Sequence, residues 1–163
     1  MFEYLRSLFS HDLVIELSSK QITVSIFGQG IEFQDEPLIA IQGEAEKSVI
    51  VEIGASCRTL QQPNIEVTNP FNHSRSLIGS FMMAEKVLQH AVLKSHKSKL
   101  RPAPRIIMHQ LEKAEGGLTD IEDRVLRELA AASGAREVLI HTGSKIDIHQ
   151  HTFDSFKRQQ QNQ

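Results

Sequence analysis

Leu13-Val14-Ile15-Glu16-Leu17, Ser18-Ser19-Lys20-Gln21, Ile22-Thr23-Val24-Ser25-Ile26: this stretch decides the fold. Its first five residues are an apolar run of strand length, and its last five alternate branched and polar side chains with a period of two. The four residues between them are short enough for a hairpin connection, so two antiparallel strands are expected. Outward from this hairpin the strand pattern continues. Gly28-Gln29-Gly30 punctuates, Ile31-Glu32-Phe33 alternates again, Pro37 opens Leu38-Ile39-Ala40-Ile41, and Ser48-Val49-Ile50-Val51 follows a charged turn. The first third of the chain therefore reads as one β-meander.

After Pro70 the period lengthens. Leu77, Phe81, Ala84, Leu88 and Val92 recur every three or four residues, which predicts a helix over 76–96 with Glu85, Lys86 and Gln89 on its other face. Pro102 and Pro104 end that segment, and Arg105-Ile106-Ile107-Met108 reads as a buried strand. Thr119 and Glu122 have the spacing of a capping box. Ile121, Val125, Leu129 and Ala132 form an apolar helical face, and Gly134 stands where a left-handed residue ends a helix. Val138-Leu139-Ile140 is the last strand. Strands that follow helices join a sheet by crossovers, so the expected class is α/β, a mixed sheet flanked by helices. Residues 143–163, ending in Lys157-Arg158-Gln159-Gln160-Gln161-Asn162-Gln163, are expected to be a divergent, disordered tail.

Composition narrows the function classes. The 163 residues suit one domain. A net charge of −2 gives no global pull on nucleic acid. The basic stretch Lys94, Lys97, Lys99, Arg101 and Arg105 lacks the interleaved aromatics that bind it, so no nucleic-acid partner is expected. The single Cys57 excludes an intramolecular disulfide framework and reads as a small core residue. No apolar run approaches the ~20 residues that span a bilayer, and the N-terminus lacks the order of a secretory signal, so a cytoplasmic location is expected. His149 and His151, with Asp147 and Asp154, have ligand chemistry but no arguable second shell, so no metal is assigned. Within residues 1–10, Phe2, Leu5 and Phe9 fall at helical spacing with Leu8 beside them. A weak contact with the inner face of the membrane and a fold back onto the domain are equally compatible with that amphipathic segment.

Six strings then stand in order: Phe9-Ser10-His11-Asp12-Leu13, Gly28-Gln29-Gly30-Ile31, Glu36-Pro37, Glu85-Lys86-Val87-Leu88-Gln89-His90, Arg101-Pro102-Ala103-Pro104-Arg105 and Gly134-Ala135-Arg136-Glu137-Val138. Together they resemble the MreB family of rod shape-determining bacterial actin homologues. The resemblance covers residues 1–140, places a family-like domain at 11–142, and corresponds to the family's first domain only. It implies an actin-like, ribonuclease-H-like fold with a mixed five-stranded sheet. It also implies a role in cell shape or the cytoskeleton, through association with itself or with full-length MreB-type filament subunits.

The family holds ATP in a cleft between two domains, each lending a hairpin whose backbone amides grip phosphate. Where its first phosphate loop reads Asp-Leu-Gly-Thr, this chain has Glu16-Leu17-Ser18-Ser19. Ser18 puts a Cβ where glycine allows close approach, while Glu16 and Ser19 keep a carboxylate and a hydroxyl. Glu16, Ser18 and Ser19 are thus a degenerate phosphate loop or an ordinary serine-rich turn. Where the family has Glu-Glu-Pro after a strand, this chain has His141-Thr142-Gly143-Ser144; neither Thr142 nor Gly143 can act as a carboxylate base, and His141 shows no partner in the sequence that would make it a substitute. Losing such a base typically costs ~10²–10⁴ in rate. No catalytic residue, no ATP hydrolysis and no cofactor are therefore expected; Mg-ATP would require a partner to complete the cleft. The alternatives are a nucleotide-binding ATPase subunit of the actin type and an adaptor that keeps only the fold. Residues 109–118 are longer and more charged than the family's loop and receive no chemistry.

Overall fold

The computed structural model describes residues 11–43, 47–96 and 102–162. In chain order the strands are β1 (Asp12–Leu17), β2 (Ile22–Ile26), β3 (Gly30–Asp35), β4 (Ile39–Gln42), β5 (Val49–Ile53), β6 (Ile65–Thr68), β7 (Arg105–Gln110) and β8 (Glu137–His141). Among the described residues three α-helices accompany them: α1 (Phe81–His96), α2 (Asp120–Ala132) and α3 (Phe153–Gln161). A five-stranded mixed sheet runs β3-β2-β1-β7-β8, with β1–β2 antiparallel and both β1–β7 and β7–β8 parallel.

The meander divides. β4 leaves the first sheet and pairs with β5 and β6 in a second, three-stranded sheet. Pro37 lies at the break, and proline cannot donate to a ladder. Gly54 and Asp35 fasten the junction. One Asp35 carboxylate oxygen accepts the Glu36 and Ala55 amides, each at 2.8 Å. A Cβ on Gly54, whose φ is +104°, would lie 2.0 Å from the other. The strand β6 was not anticipated from the sequence.

The main core lies between the large sheet and helices α1 and α2. Leu13, Ile15, Leu17, Val24, Ile106 and Met108 meet Ala84, Leu88, Leu126 and Leu129 there. The first helix starts at Phe81 rather than Ser76, because 76–80 form a loop tied by Gly79 N–H to the Pro70 carbonyl at 2.7 Å. Thr119 and Glu122 make the expected capping box. The buried face of α2 is Leu126, Leu129 and Ala130, whereas Ile121 is 76% exposed and Ala132 also faces solvent.

The opposite face of the sheet overturns the disordered tail expected at 143–163. Residues Phe153–Gln161 are a helix capped by Thr152, and Phe153 and Phe156 pack with Ile146 onto Val14, Ile107 and Leu139. The glutamine-rich composition hid two aromatic anchors one helical turn apart, and burying them stabilises an otherwise polar segment.

Candidate functional site

Parallel strands in open α/β sheets present their ligands at the carboxyl ends, where loops from several strands converge. On the face covered by α3, the pairing register sets Thr23, Glu16, His109 and His141 side by side across β2, β1, β7 and β8. The Glu16 side chain is 7% exposed; one carboxylate oxygen is 3.5 Å from Lys145 Nζ and the other 3.9 Å from His109 Nδ1. His109 is fully buried, and its Nε2 sits 3.1 Å from the Gly143 carbonyl. A carbonyl only accepts, so the neutral ring carries its proton on Nε2. Nδ1 then points a lone pair toward a carboxylate and has no hydrogen-bond partner. Burial pushes the His109 pKa down; the Gly143 carbonyl and Glu16 oppose that, while His141 and Lys145 add to it. The His141 ring stands edge-on to His109 at 4.6 Å, with its Nε2 2.8 Å from the Ser144 carbonyl. A small cavity of ≈ 240 Å³ opens beside Glu16, between Val14, Ser25, Ile31, Lys145 and Ile146.

The β1–β2 turn adjoins this row. Ser18 N–H donates to the Gln21 carbonyl at 3.0 Å. Ser18 Oγ accepts from the Lys20 and Gln21 amides at 3.3 and 3.0 Å. Ser19 N–H donates to the Glu112 carboxylate, and Asn69 Nδ2 holds the Ser19 carbonyl at 2.7 Å. All four amides from Ser18 to Gln21 thus have acceptors within the protein. The Ser18 hydroxyl takes up two of them, which a glycine could not do.

Of the residues singled out from sequence, Ser18 and Ser19 lie in the β1–β2 turn, bonded within it and to Glu112 and Asn69, while Glu16, at the end of β1, turns its carboxylate to His109 and Lys145. Thr142 and Gly143 are exposed in the loop after β8, where Gly143 contributes only its carbonyl. Phe2, Leu5, Leu8 and Phe9 lie outside the described residues. The histidines near the chain end are scattered: Asp147 accepts the His149 and Gln150 amides, His151 packs on Phe156, and Asp154 turns to Arg105. Among the described residues no three His, Cys, Asp or Glu converge as for a metal. Cys57 is buried with Leu38 and Ala40 in the small-sheet core, and burial pushes its thiol pKa up. His109, Glu112, Asn69 and Lys145 are additions. The alternation Arg105, Ile107, His109 would have put His109 on the face of Ile107, but only strand register brings it opposite Glu16.

Residues 10–147 match a family model described as MreB/Mbl protein. The cell shape-determining protein MreB of Escherichia coli (strain K12) is 31% identical over 147 residues, which cover 86% of this chain and 40% of the relative. The uncharacterized protein YjaA of the same organism is 39% identical over 85 residues, or 47% of this chain and 67% of that protein. The chain spans about 40% of the length of the MreB relatives it matches. Among solved structures, MreB5 of Spiroplasma citri bound to ADP superposes with a TM-score of 0.64 at 17% identity, covering 82% of this chain and 38% of that one. Likeness at that identity shows the fold alone, which is actin-like.

Proposed function

This chain belongs to the MreB/Mbl family, and from that premise we propose that it serves cell-shape organisation by associating with itself or with full-length MreB-type subunits, without hydrolysing ATP. The observation that carries this reading is the β1–β2 turn, whose four amides are already satisfied within the chain. A phosphate arriving there would have to break existing hydrogen bonds, and no carboxylate stands at 142 or 143 to activate water. Association is favoured over nucleotide chemistry because the family contacts are made between subunits and do not need an intact phosphate loop.

Isothermal titration with Mg-ATP should give no micromolar binding, and phosphate release should stay at the buffer rate. Co-pelleting with a full-length MreB should bring this chain down with the filaments. Micromolar ATP binding with turnover, or no association at any salt, would refute the respective half of the reading. The reading places the protein in the cytoplasm, with residues 1–10 touching the membrane surface. No helix among the described residues is long and apolar enough to cross a membrane. Liposome co-sedimentation of the full chain against one lacking residues 1–10 tests the contact, and equal binding removes it.

A second reading, a nucleotide-binding subunit whose cleft is completed by another protein, is favoured by one feature: Glu16 keeps a buried carboxylate beside the turn. Adding the candidate partner to the ATP titration separates the two.

A further inference from the structure

We infer that the β1–β2 turn is an anion-accepting site whose ligand is the chain's own Glu112 carboxylate, and that this internal occupant keeps external phosphate groups out. The inference deepens the reading just given and rests on it for the claim that the intact turn is closed. It also gives a specific role to the loop that follows β7, residues 111–118; positions 109 and 110, expected in that loop, belong to the strand.

The contact joins residues 93 apart in sequence, so it is built by the fold rather than by local turn geometry. The loop that delivers Glu112 is fastened at each step. Leu111 N–H bonds to the Leu17 carbonyl at 2.9 Å, extending the β1–β7 pairing to the lip of the turn. The buried Gln110 side chain then bends back and donates to the carbonyls of Glu112 and Lys113 at 2.9 and 3.1 Å. Lys113 occupies the left-handed region with a φ of +56°, which a residue with a Cβ adopts at a cost and keeps only when its surroundings hold it. The hold here comes from its own ammonium, which reaches the carbonyls of His73 and Ser76. Asn69 Nδ2 meanwhile holds the Ser19 carbonyl, which ties the turn to the chain just after β6. Loop and turn are each anchored independently, and the carboxylate and the amide meet between the anchors.

A carboxylate and a phosphate oxygen ask the same thing of a backbone N–H: a charge-assisted hydrogen bond to a donor at the mouth of a turn. With Glu112 in place that donor is used. A second anion would meet a like charge as well as a lost hydrogen bond. The Ser19 hydroxyl first, and then its amide, hold the Glu112 carboxyl below the usual carboxylate range against the effect of burial, with Lys113 and Lys20 helping, as befits an acceptor engaged in its ionised form.

The test uses the full chain, ¹⁵N-labelled, with Glu112→Ala and Glu112→Gln as variants and magnesium pyrophosphate as the probe. Glu112 is partly exposed, and the far-ultraviolet circular dichroism of each variant checks that its fold is kept. The readouts are the Ser19 and Lys20 amide shifts during titration, and the Ser19 amide exchange rate. Glu112→Ala should bind pyrophosphate at these amides at least about tenfold more tightly than the parent chain, and Ser19 should exchange faster. In the parent, the Ser19 shift should titrate with pH below the ordinary carboxylate range, and Glu112→Gln should abolish that titration. A tightening of less than tenfold, or a Ser19 shift that ignores pH in the parent, overturns the inference. If parent and variant both bind tightly, the closed-turn reading fails too. If neither binds, that reading stands and only the role of Glu112 falls.

Discussion

The strands β1 and β7 carry a pair of ionisable residues at each end of one face, and the two pairs are held very differently. At the amino ends Arg105 faces Asp12; at the carboxyl ends, four residues on, His109 faces Glu16, with the apolar Val14 and Ile107 between them. Arg105 grips Asp12 through two nitrogens, Nε at 2.7 Å and Nη2 at 2.6 Å. It also bonds Asp154 of α3 at 2.8 Å and lies over the Phe153 ring with 4.4 Å from guanidinium carbon to centroid. Both carboxylates raise its pKa further above its already high ordinary value, against the effect of burial. At the other end, among the described residues, no contact of Glu16 to a cation is closer than 3.5 Å, and His109 keeps an unpartnered ring nitrogen. A polar cluster with every group engaged is a structural clamp. One left under-satisfied in the interior costs stability, and here it lies beside the β1–β2 turn.

The largest effect should come from the side chain beneath the clamp. Phe153→Ala removes a fully buried ring from the small core under α3 and should cost about 3–5 kcal/mol in urea unfolding. A cost below about 1 kcal/mol would mean that α3 is not docked, and the contrast between the two ends would lose its amino-terminal half. Next comes Arg105→Ala, which leaves Asp12 partly buried without its partner. About 2–3 kcal/mol is expected, less than for a fully buried pair because Asp12 and Asp154 retain some solvent. Arg105→Lys should recover only part of that, since an ammonium can neither fork onto Asp12 nor stack as well on Phe153.

The two ends should also separate by pH. Burial lowers the His109 pKa in the folded chain, so the ring stays neutral there while the unfolded chain takes up a proton near pH 6.5. Stability therefore falls as pH drops below about 6.5, by at most about 1.4 kcal/mol per pH unit for this ring, until the folded pKa is reached. His90, lowered by its burial and by Lys94, contributes in the same direction. Asp154 behaves oppositely. Arg105 lowers its pKa, so its contribution is present above about pH 4 and is lost only as pH falls toward the depressed value. Urea midpoints between pH 7.5 and 5.5 should slope in the parent and flatten in His109→Leu, and flatten further when His90 is replaced as well. An unchanged slope in His109→Leu would show that the carboxyl end does not carry a buried neutral imidazole.

What could be read from the sequence follows how local each cause is. The β1–β2 hairpin, the α2 capping box and the apolar faces of β1 and β7 depend on residues a few positions apart, and each lies where periodicity puts it. The division of the meander depends on Pro37 and on Gly54 meeting Asp35 across the chain, which no window of alternating residues registers. The face of α2 was misassigned at Ile121 and Ala132 because periodicity offers several rotations and only packing chooses among them. Within the site, Glu16, Ser18 and Ser19 were legible because they are contiguous. Their partners Glu112, His109 and Lys145 were not, because register and loop closure bring them together.

The smallest predicted effect tests whether the clamp acts as a unit. Thr152 caps α3 by accepting the Ser155 amide at 3.2 Å, while Ser155 Oγ accepts the Thr152 amide at 3.0 Å. Replacing such a cap with alanine typically costs about 1 kcal/mol, roughly 2–4 °C in melting temperature for a chain of this size. The first turn it organises contains both Phe153 and Asp154, the two α3 residues that touch Arg105. Thr152→Ala should therefore be non-additive with Arg105→Ala, the double variant losing less than the sum, because fraying that turn already loosens the Asp154 contact. It should change the slope between pH 7.5 and 5.5 little, since the Gly143 carbonyl holds His109 and α3 reaches it through Phe156, which stands against the neighbouring His141 ring. Strict additivity would make the cap and the clamp separate devices; an altered slope would mean that the two ends of β1 and β7 are coupled through α3.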